Sequence, residues 1–480
     1  MTTSETGVDL LASSEAGGRV VRGGLLRGVG YGIGTIVAAG TAVLLLRHLG
    51  RVDFGRYGTI GALLGVISGI SDAGLTAVGS RELALASPAD RPRLLRNLVT
   101  LRLVTTPVGV VAAAIFAFVS YDRTMFWGTV LGGLGVLFVN TQATMMAPLS
   151  VDLRLGTVTV FEVLKTALTF VFVAAFVGAG VSLLPLLAIQ IPVGAAIIFL
   201  TPLAVPIGRG LLPGYDKAIV LSLLREALPL AVALTMNVVY FRVLMIMTSL
   251  LASKADTGLY ATSFQVFSVL FTLPLLVLSS ALPLLSVAGR DDLDRLRFGL
   301  QRMTEVALGA GIVFVLAIFA LAPVLIPFLG GDQYRGAAPV LQIQVFALIA
   351  VFVGQTWQLG LLSVRRQAAL AWANGGALLV VVIAGAILIP TAGARGAAVA
   401  AVIGEAALGL FVYLALRRAS SLAPAPGLVP RVVLAALPAF AVLLLPLPWE
   451  VLLVGSVAVF VAVAFAIRAV PTELIHALRR

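Results

Sequence analysis

Long apolar stretches alternate with short polar segments along the whole chain. The apolar stretches run to about 20 residues, the length an α-helix needs to cross the hydrocarbon core of a bilayer. Glycine, proline and clusters of charge separate them, so the pattern predicts fourteen membrane-spanning helices. The predicted spans begin near residues 25, 57, 99, 125, 157, 184, 226, 259, 305, 338, 369, 397, 432 and 451.

The charges between the apolar stretches predict the orientation of the spans. An even number of spans puts both termini on one side of the membrane. If that side is the cytoplasm, 23 of the 33 Lys and Arg residues lie in cytoplasmic segments, 7 lie outside and 3 lie within spans. Cytoplasmic loops accumulate Lys and Arg, so both termini are predicted to be cytoplasmic.

Composition narrows the class of protein further. Of 480 residues, 60% are hydrophobic and 11% are charged, whereas soluble domains keep about a quarter of their residues charged. The net charge of +12 is accounted for by the loops, so no nucleic-acid partner is expected. The chain has no cysteine and only two histidines, His48 and His476, and no metal site is expected.

The segments outside the apolar stretches are short. The polar first eighteen residues predict a flexible cytoplasmic tail, since no cleavable signal pattern precedes the first apolar stretch. No loop between predicted spans exceeds about twenty residues, which leaves no room for a soluble catalytic domain. The protein is therefore not expected to be an enzyme.

Two external segments carry the same pattern at a constant offset of 203 residues. "LGRVDFGRYGT" (Leu49–Thr59) and "ASKADTGLYAT" (Ala252–Thr262) share a basic residue, Asp, Gly, Tyr and Thr at matching positions. Six predicted spans separate the copies, so both point the same way through the membrane. An internal duplication predicts two parallel halves with a substrate path between them; the alternative is turn chemistry shared by chance.

Several motifs resemble one family of transporters. In "LRHLGRVDFGRYGTIGALLGVISGISDAGL" the likeness rests on Leu-Gly, Phe-Gly-x-Tyr and then Asp-x-Gly-Leu. It continues in "YFRVLMIMTSLLASKADTGLYATSF", "SSALPLLS", "FLGGDQYRGAAPVLQI" and "LIPTAGARGAAVAAVIGE". Over residues 20 to 415 the chain resembles the polysaccharide biosynthesis transporters, the O-antigen and lipid-linked oligosaccharide flippases of the multidrug/oligosaccharidyl-lipid/polysaccharide exporter superfamily. Where that family often has an aspartate two residues after the arginine of span seven, this chain has Leu244.

The resemblance implies an all-α polytopic membrane protein of a bacterial plasma membrane, with two parallel six-helix lobes around a central cavity and two extra C-terminal helices. It implies a polyprenyl-diphosphate-linked oligosaccharide as substrate and alternating access as mechanism. Membrane lipid is a further expected partner, and contact with other polysaccharide assembly proteins is left open. The expected parts are a cytoplasmic tail (1–24), an N-terminal lobe (25–206), a cytoplasmic linker (207–225), a C-terminal lobe (226–416) and a last segment (417–480) holding a linker, the two extra helices and a short tail.

Arg242 is the single charge in "MNVVYFRVLMIMTSLL" (residues 236–251). It lies twelve residues before Lys254, about 18 Å along a helix, and a buried arginine there costs about 2.5 to 3.5 kcal/mol. It must therefore face a wet cavity, where it could hold a diphosphate, or form an internal ion pair. The equivalent position in the first half is Ala39, so the charge is not duplicated. The candidate ion-pair or coupling acids are Asp72, Glu162 and Glu405.

Other polar side chains within spans are weaker candidates. Lys165 either pairs with Glu162, three residues before it, or lines the cavity, and Arg102 is either an interfacial anchor or a substrate contact. Trp357 either packs in the core or stacks on a sugar. Asp292–Asp294 fits an interfacial helix better than a metal-nucleotide site. The amides, expected to bridge helices or to contact sugar, are Asn140, Gln142, Asn237, Gln265, Gln355 and Gln358.

The sequence is compatible with three functions. The first is a flippase for the lipid-linked oligosaccharide, and the second is a cation-coupled multidrug exporter of the same fold. The third, a membrane-embedded glycan polymerase or ligase, is disfavoured by the short external loops. No cofactor is expected, and coupling to protons or sodium is left open.

Overall fold

The computed structural model describes residues 14–72, 74–205, 212–279, 285, 288–290, 292–420 and 427–469. Within these ranges the chain is almost entirely α-helical and has no strand. The predicted flippase motif "SSALPLLS" lies mostly outside the described residues. The helices are α1 (Ser14–Asp72), α2 (Leu75–Leu85), α3 (Arg91–Ser120), α4 (Arg123–Met145), α5 (Ala147–Val151), α6 (Leu155–Gly178), α7 (Leu183–Ala188), α8 (Gln190–Ala204), α9 (Lys217–Leu251), α10 (Lys254–Ser279), α11 (Leu293–Gly330), α12 (Ala337–Gln344), α13 (Ala347–Ser363), α14 (Gln367–Ser420), α15 (Val429–Val442) and α16 (Trp449–Ala466).

Apolar helices long enough to cross a membrane dominate the structure. Ten helical stretches among the described residues meet the requirement in length and composition. Two of them, Gly30–Leu85 and Gln367–Arg418, have 56 and 52 residues, which is more than twice the length of one crossing. The chain is a multi-pass membrane protein, as its sequence predicted, while the count of fourteen spans stays a prediction.

Two expected external loops are reduced to single-residue breaks. Spans one and two were predicted to be joined by a loop, but α1 is interrupted only at Gly50, where φ is 69°. In the same way α14 is interrupted only at Gly393, where φ is 55°. Glycine adopts positive φ at no steric cost, so one residue suffices to break each helix. The helix α1 also begins at Ser14, inside the predicted tail.

Contacts group the residues into two compact units. The first contains the chain up to His48 and Ile67–Ala231, and the second contains Leu49–Val66 and the chain from Val232 onwards. The middle of α1 thus packs with the second unit although its two ends belong to the first. Whether the lobes have the predicted boundaries stays a prediction.

The core of the first unit lies where α2, α3 and α5 meet. Leu83, Leu95 and Leu149 are each at most 1% exposed and pack together there. The segment before α9 is tied to α3, because the Thr100 hydroxyl bonds both the N–H and the carbonyl of Gly214 at 2.9 Å. Nearby, Arg93 pairs with Asp216, and that hydrogen bond is the main cause of a lowered pKa of Asp216. This carboxylate is therefore ionised at neutral pH.

The last two helices belong to the second unit. Leu316 of α11, Ala439 of α15 and Phe460 of α16 share one buried cluster. Glu305 of α11 fixes the entry to α15, since its carboxylate pairs with Arg302 at 2.9 Å and accepts the backbone N–H of Leu428 at 3.4 Å. The extra C-terminal helices are thus packed on the second unit.

The two copies of the repeated motif have the same local structure. The Thr59 hydroxyl donates to the Gly55 carbonyl at 2.9 Å, and the Thr262 hydroxyl donates to the Gly258 carbonyl at 2.8 Å. Both threonines are 0% exposed. The copies lie against each other within the second unit, because a Cβ atom built on Gly55 would be 2.8 Å from the backbone nitrogen of Gly258. Other helical threonines of the chain make the same bond, so the duplication stays a prediction.

Candidate functional site

Arg242 lies in the C-terminal half of α9, in the middle of its apolar stretch Leu234–Leu251, and its side chain is half-buried. Its guanidinium carbon is 5.5 Å from the ring centre of Phe241 and 5.9 Å from that of Phe264. A Cβ atom on Gly65 of α1 would lie 3.1 Å from Arg242 Nε, so the guanidinium rests on a bare stretch of backbone. Glycine at position 65 makes this close approach sterically possible.

The internal ion pair considered for Arg242 does not form within the described part of the chain. Asp72 pairs instead with Arg102 at 2.5 Å. Glu405 interacts with the Tyr240 hydroxyl, and Glu162 has an exposed side chain. The Arg242 guanidinium therefore contacts aromatic rings and the backbone of Gly65, and none of the three candidate acids pairs with it.

Arg102 is not the interfacial anchor that its position in the sequence predicted. Its residue is only 2% exposed, and its guanidinium joins α1, α2 and α4. Besides Asp72, it donates to the hydroxyls of Thr76 and Thr144, each at 3.0 Å. Its Nη1 is buried and has no hydrogen-bond partner among the residues that the structure describes. The sequence misplaced this residue because the acid that neutralises it lies thirty positions earlier.

A polar network continues from the Asp72–Arg102 pair toward the middle of the first unit. Ser68 donates to the Asn140 amide oxygen at 3.0 Å, and the Asn140 amide donates to the Ser71 hydroxyl at 3.4 Å. The Thr105 hydroxyl donates to the Ser71 carbonyl at 3.2 Å. Asn140 therefore bridges helices, as predicted for the membrane amides.

Glu405 is a buried acid in the second unit. It is 8% exposed, and Tyr240, whose hydroxyl interacts with it, is 7% exposed. Tyr260, 1% exposed, interacts electrostatically with the same carboxyl group. Within the described residues no Lys, Arg or His forms an ion pair with Glu405. A membrane acid in this setting can exchange a proton without breaking a salt bridge.

Lys165 and Glu162 do not form the ion pair that their spacing allows, as far as the described residues show. Lys165 is half-buried and Glu162 is exposed on α6. A spacing of three residues brings two side chains onto one face, but it does not fix their rotamers. The predicted cavity-lining role of Lys165 stays a prediction.

The other amide candidates fall into two groups. Asn237 donates to the Asn374 amide oxygen at 3.1 Å, and Gln355 donates to the Phe271 carbonyl at 3.2 Å. These two bridge helices, and among the described residues the buried Oε1 atom of Gln355 has no hydrogen-bond partner. Within the described chain Gln142 and Gln358 make no side-chain hydrogen bond, so they stay candidates for substrate contact.

Trp357 and Asp292 have structural partners. The Trp357 indole donates to the Thr304 hydroxyl at 3.0 Å, and its ring lies 5.1 Å from that of Tyr413. These contacts are those of a packed side chain, and the sugar-stacking alternative stays a prediction. Asp292 accepts the backbone N–H of Arg295 at 2.9 Å and thus caps α11, in agreement with the helical interpretation of the Asp292–Asp294 triplet.

Three residues of these sites were absent from the sequence-based candidates. Gly65 and Phe264 position Arg242, and Tyr240 binds Glu405. Phe264 and Tyr240 are apolar or weakly polar residues within apolar helices. The sequence pattern does not distinguish such residues from ordinary packing residues. Gly65 had one usable signal, since a glycine inside a predicted span permits close approach of another group.

No protein-family model and no curated protein matches the sequence. Solved structures match it over most of its length. The lipid II flippase MurJ in an inward closed conformation has a TM-score of 0.77 and 11% identity, covering 95% of this chain and all of that one. An inward-facing multidrug resistance MATE transporter of the MOP superfamily has a TM-score of 0.67 and 13% identity, covering 81% and 95%. A MOP superfamily transporter from Pyrococcus furiosus has a TM-score of 0.59 and 15% identity, covering 88% and 99%.

These matches establish the fold. The chain has the helical fold of the MOP superfamily transporters, and the resemblance predicted from its motifs is confirmed at that level. A lipid II flippase and a multidrug resistance transporter share this fold, so the fold by itself does not decide what this chain carries.

Proposed function

We propose that the protein flips a polyprenyl-diphosphate-linked oligosaccharide, a precursor of a surface polysaccharide, from the cytoplasmic to the outer leaflet by alternating access. The transporter fold supports transport of some substrate. The chemistry of Arg242 supports a substrate that carries a diphosphate.

The observation that carries the proposal is the Arg242 guanidinium held by aromatic rings without an acid. Burying an arginine near the middle of a membrane helix costs about 2.5 to 3.5 kcal/mol on insertion scales. Cation–π contacts stabilise the guanidinium by about 0.5 to 2 kcal/mol, so they offset only part of this insertion cost. A bound diphosphate would offset the rest of the cost, because the forked guanidinium donors match phosphate oxygens and charge-assisted hydrogen bonds are strong.

A diphosphate ligand also explains why position 242 carries a basic residue and not an acidic one. A cationic drug would be repelled by Arg242, whereas the charged part of a prenyl-linked oligosaccharide is anionic. The prenyl chain would stay in lipid while the diphosphate and sugar are carried. Lys165, Gln142 and Gln358 are proposed as further polar contacts, since each is without a side-chain partner in the described residues.

We further propose that Glu405 couples transport to a proton gradient. It is buried and bound to a tyrosine, whereas Asp72 is already paired with Arg102 and Glu162 is exposed. A proton could bind or leave this carboxyl group without the loss of an ion pair. A sodium ion is the alternative coupling ion.

The same glutamate favours a second candidate function. A buried membrane acid is what a cation-coupled drug exporter requires, so export of cationic drugs is the function to test against the first. The two candidates differ in the role of Arg242. The flippase requires its charge, whereas an exporter of cations would work equally well or better without it.

The test is transport by purified protein in vesicles. A fluorescent polyprenyl-diphosphate oligosaccharide is placed in one leaflet, and its arrival in the other is followed by a quencher that cannot cross the membrane. Arg242→Gln should lower the rate at least tenfold, because a charge-assisted contact is lost. The matched control is Arg335→Gln, which removes a charge from a side chain 72% exposed.

The two candidate functions give opposite results in this assay. A flippase carries the labelled lipid, and Arg242→Gln but not Arg335→Gln lowers the rate at least tenfold. A drug exporter leaves the lipid in place and protects cells from cationic drugs. Normal lipid transport by a well-folded Arg242→Gln variant would overturn the assignment of the diphosphate contact.

A further inference from the structure

The two ends of helix α14 line an open cavity of about 620 Å³ in the second unit. Arg366, directly before the helix, and Arg418, in its last turn, both line this cavity. The break at Gly393 divides α14 into two halves. The start of the first half and the end of the second half line the same cavity, which brings the two arginines together. Both arginines lie on the side predicted to be cytoplasmic.

The charge of this cavity is positive and uncompensated within the described residues. No acidic side chain is among its lining residues. In the described chain neither Arg366 nor Arg418 forms an ion pair, and both are exposed. Arg365 and Arg417 stand next to them in the sequence, so each of the two ends of α14 carries a pair of adjacent arginines.

The rest of the wall is apolar and aromatic. It includes Trp372, Phe411 and Leu414, and Trp372 is 81% exposed. Tryptophan is enriched where a membrane protein meets the headgroup region. A glycine at position 376 keeps the wall open, since a Cβ atom there would be 2.9 Å from the Phe411 ring.

A cavity lined by two arginines and by apolar and aromatic side chains suits a ligand that has both an anionic group and an apolar chain. We infer that this cavity binds an anionic phospholipid, with its phosphate between Arg366 and Arg418 and an acyl chain along Trp372 and Phe411. Basic pockets between membrane helices on the cytoplasmic side bind such headgroups. A soluble phosphate would satisfy the arginines but leave the apolar wall in water, so the lipid is the better occupant.

This lipid site is separate from the proposed substrate contact at Arg242. It would hold a resident lipid that stabilises the pairing of the two halves of α14. Its existence does not depend on what the protein transports, so failure of the flippase proposal would leave it unaffected.

The test measures binding by the purified full-length protein in detergent. Phosphatidylglycerol is added, and phosphatidylcholine with the same acyl chains is added in parallel. Phosphatidylglycerol should raise the Tm by about 2 to 4 °C and should be retained as one molecule per chain in native mass spectrometry. The double substitution Arg366→Gln with Arg418→Gln should weaken its binding at least tenfold.

The matched control is Arg295→Gln with Arg297→Gln, which removes the same charge from exposed positions at the start of α11. This control should keep the response of the native protein. Trp372→Ala tests the wall without changing the charge, and it should also weaken binding of phosphatidylglycerol.

Several outcomes would overturn the inference. Equal stabilisation by phosphatidylcholine would show that the phosphate charge is not recognised. An equal Tm rise with inorganic phosphate alone would identify a site for a soluble anion. Displacement of bound phosphatidylglycerol by equimolar farnesyl diphosphate would indicate a diphosphate site, and unchanged binding by the Arg366/Arg418 double variant would place the lipid elsewhere.

Discussion

The backbones of Gly55 and Gly258, equivalent residues of the two motif copies, are in direct contact. A Cβ atom on Gly55 would lie 2.8 Å from the Gly258 nitrogen, and one on Gly258 would overlap the Arg51 carbonyl oxygen. Close packing of two helices on glycine is common in membranes because it brings backbones together. The duplicated motif thus has a packing role that its sequence alone did not reveal.

Gly55→Val should destabilise the protein by about 1 to 3 kcal/mol, the usual cost of forcing extra volume into a packed contact. Gly61→Val is the matched control, because Gly61 lies in the same helix and a Cβ atom there meets nothing within 4 Å. Thermal unfolding in detergent measures both. Equal Tm values for the two variants would contradict the close contact.

A disulfide should form between cysteines placed at positions 58 and 261. A Cβ atom on Gly58 would lie 3.0 Å from that of Ala261, near the 3.5 to 4.5 Å of disulfides, and the chain has no cysteine of its own. If the motif copies separate during each cycle, Gly58→Cys with Ala261→Cys should lose transport on oxidation and regain it on reduction. Gly61→Cys with Ala261→Cys should not cross-link. Full transport by the oxidised pair would show that this contact persists throughout the cycle.

Gly65→Val should impair transport by displacing the Arg242 guanidinium. The new side chain would meet Arg242 Nε, and an error of about 1 Å in a positioned group can lower a rate a hundredfold. Because the arginine is flexible, the fold should tolerate the change. The rate of lipid transport should fall at least tenfold, whereas Gly61→Val should retain it. If both variants transport equally, the position of Arg242 does not matter.

Asp72→Asn should destabilise the first unit by about 3 kcal/mol, because it leaves the buried Arg102 without its counter-charge. Arg102→Gln should cost less, since the Asp72 side chain is 32% exposed and water can solvate it. Thermal unfolding of the two single variants and the double variant forms a mutant cycle. Additive effects in that cycle would show that the pair contributes no coupling energy.

Glu405→Gln should remove the response of transport to an imposed pH gradient, since the amide cannot exchange a proton. Tyr240→Phe should weaken the response without abolishing it, because it removes only the hydroxyl that interacts with the carboxyl group. The rate of lipid transport with and without the gradient measures this. A gradient response in Glu405→Gln as large as in the native protein would exclude Glu405 as the coupling group.

The sequence by itself determined the membrane class and most of the helices. Spans need about 20 apolar residues, so length and hydrophobicity suffice to find them, and the superfamily fold followed from short motifs in the right order. Helix ends were less certain. Gly50 and Gly393 show why, since one glycine at positive φ breaks a helix where charged residues such as Arg51 and Arg395 predicted a loop.

Partnerships between distant residues were decided only by the tertiary structure. The sequence named Arg242, Asp72, Glu405 and Arg102 as charges within spans, but it could not tell which of them pair. Asp72 pairs with Arg102 and Glu405 with Tyr240, while Arg242 lies on Gly65 and two phenylalanine rings. Periodicity along one helix places a side chain on a face, whereas only the packing of helices far apart in the chain decides what that face meets.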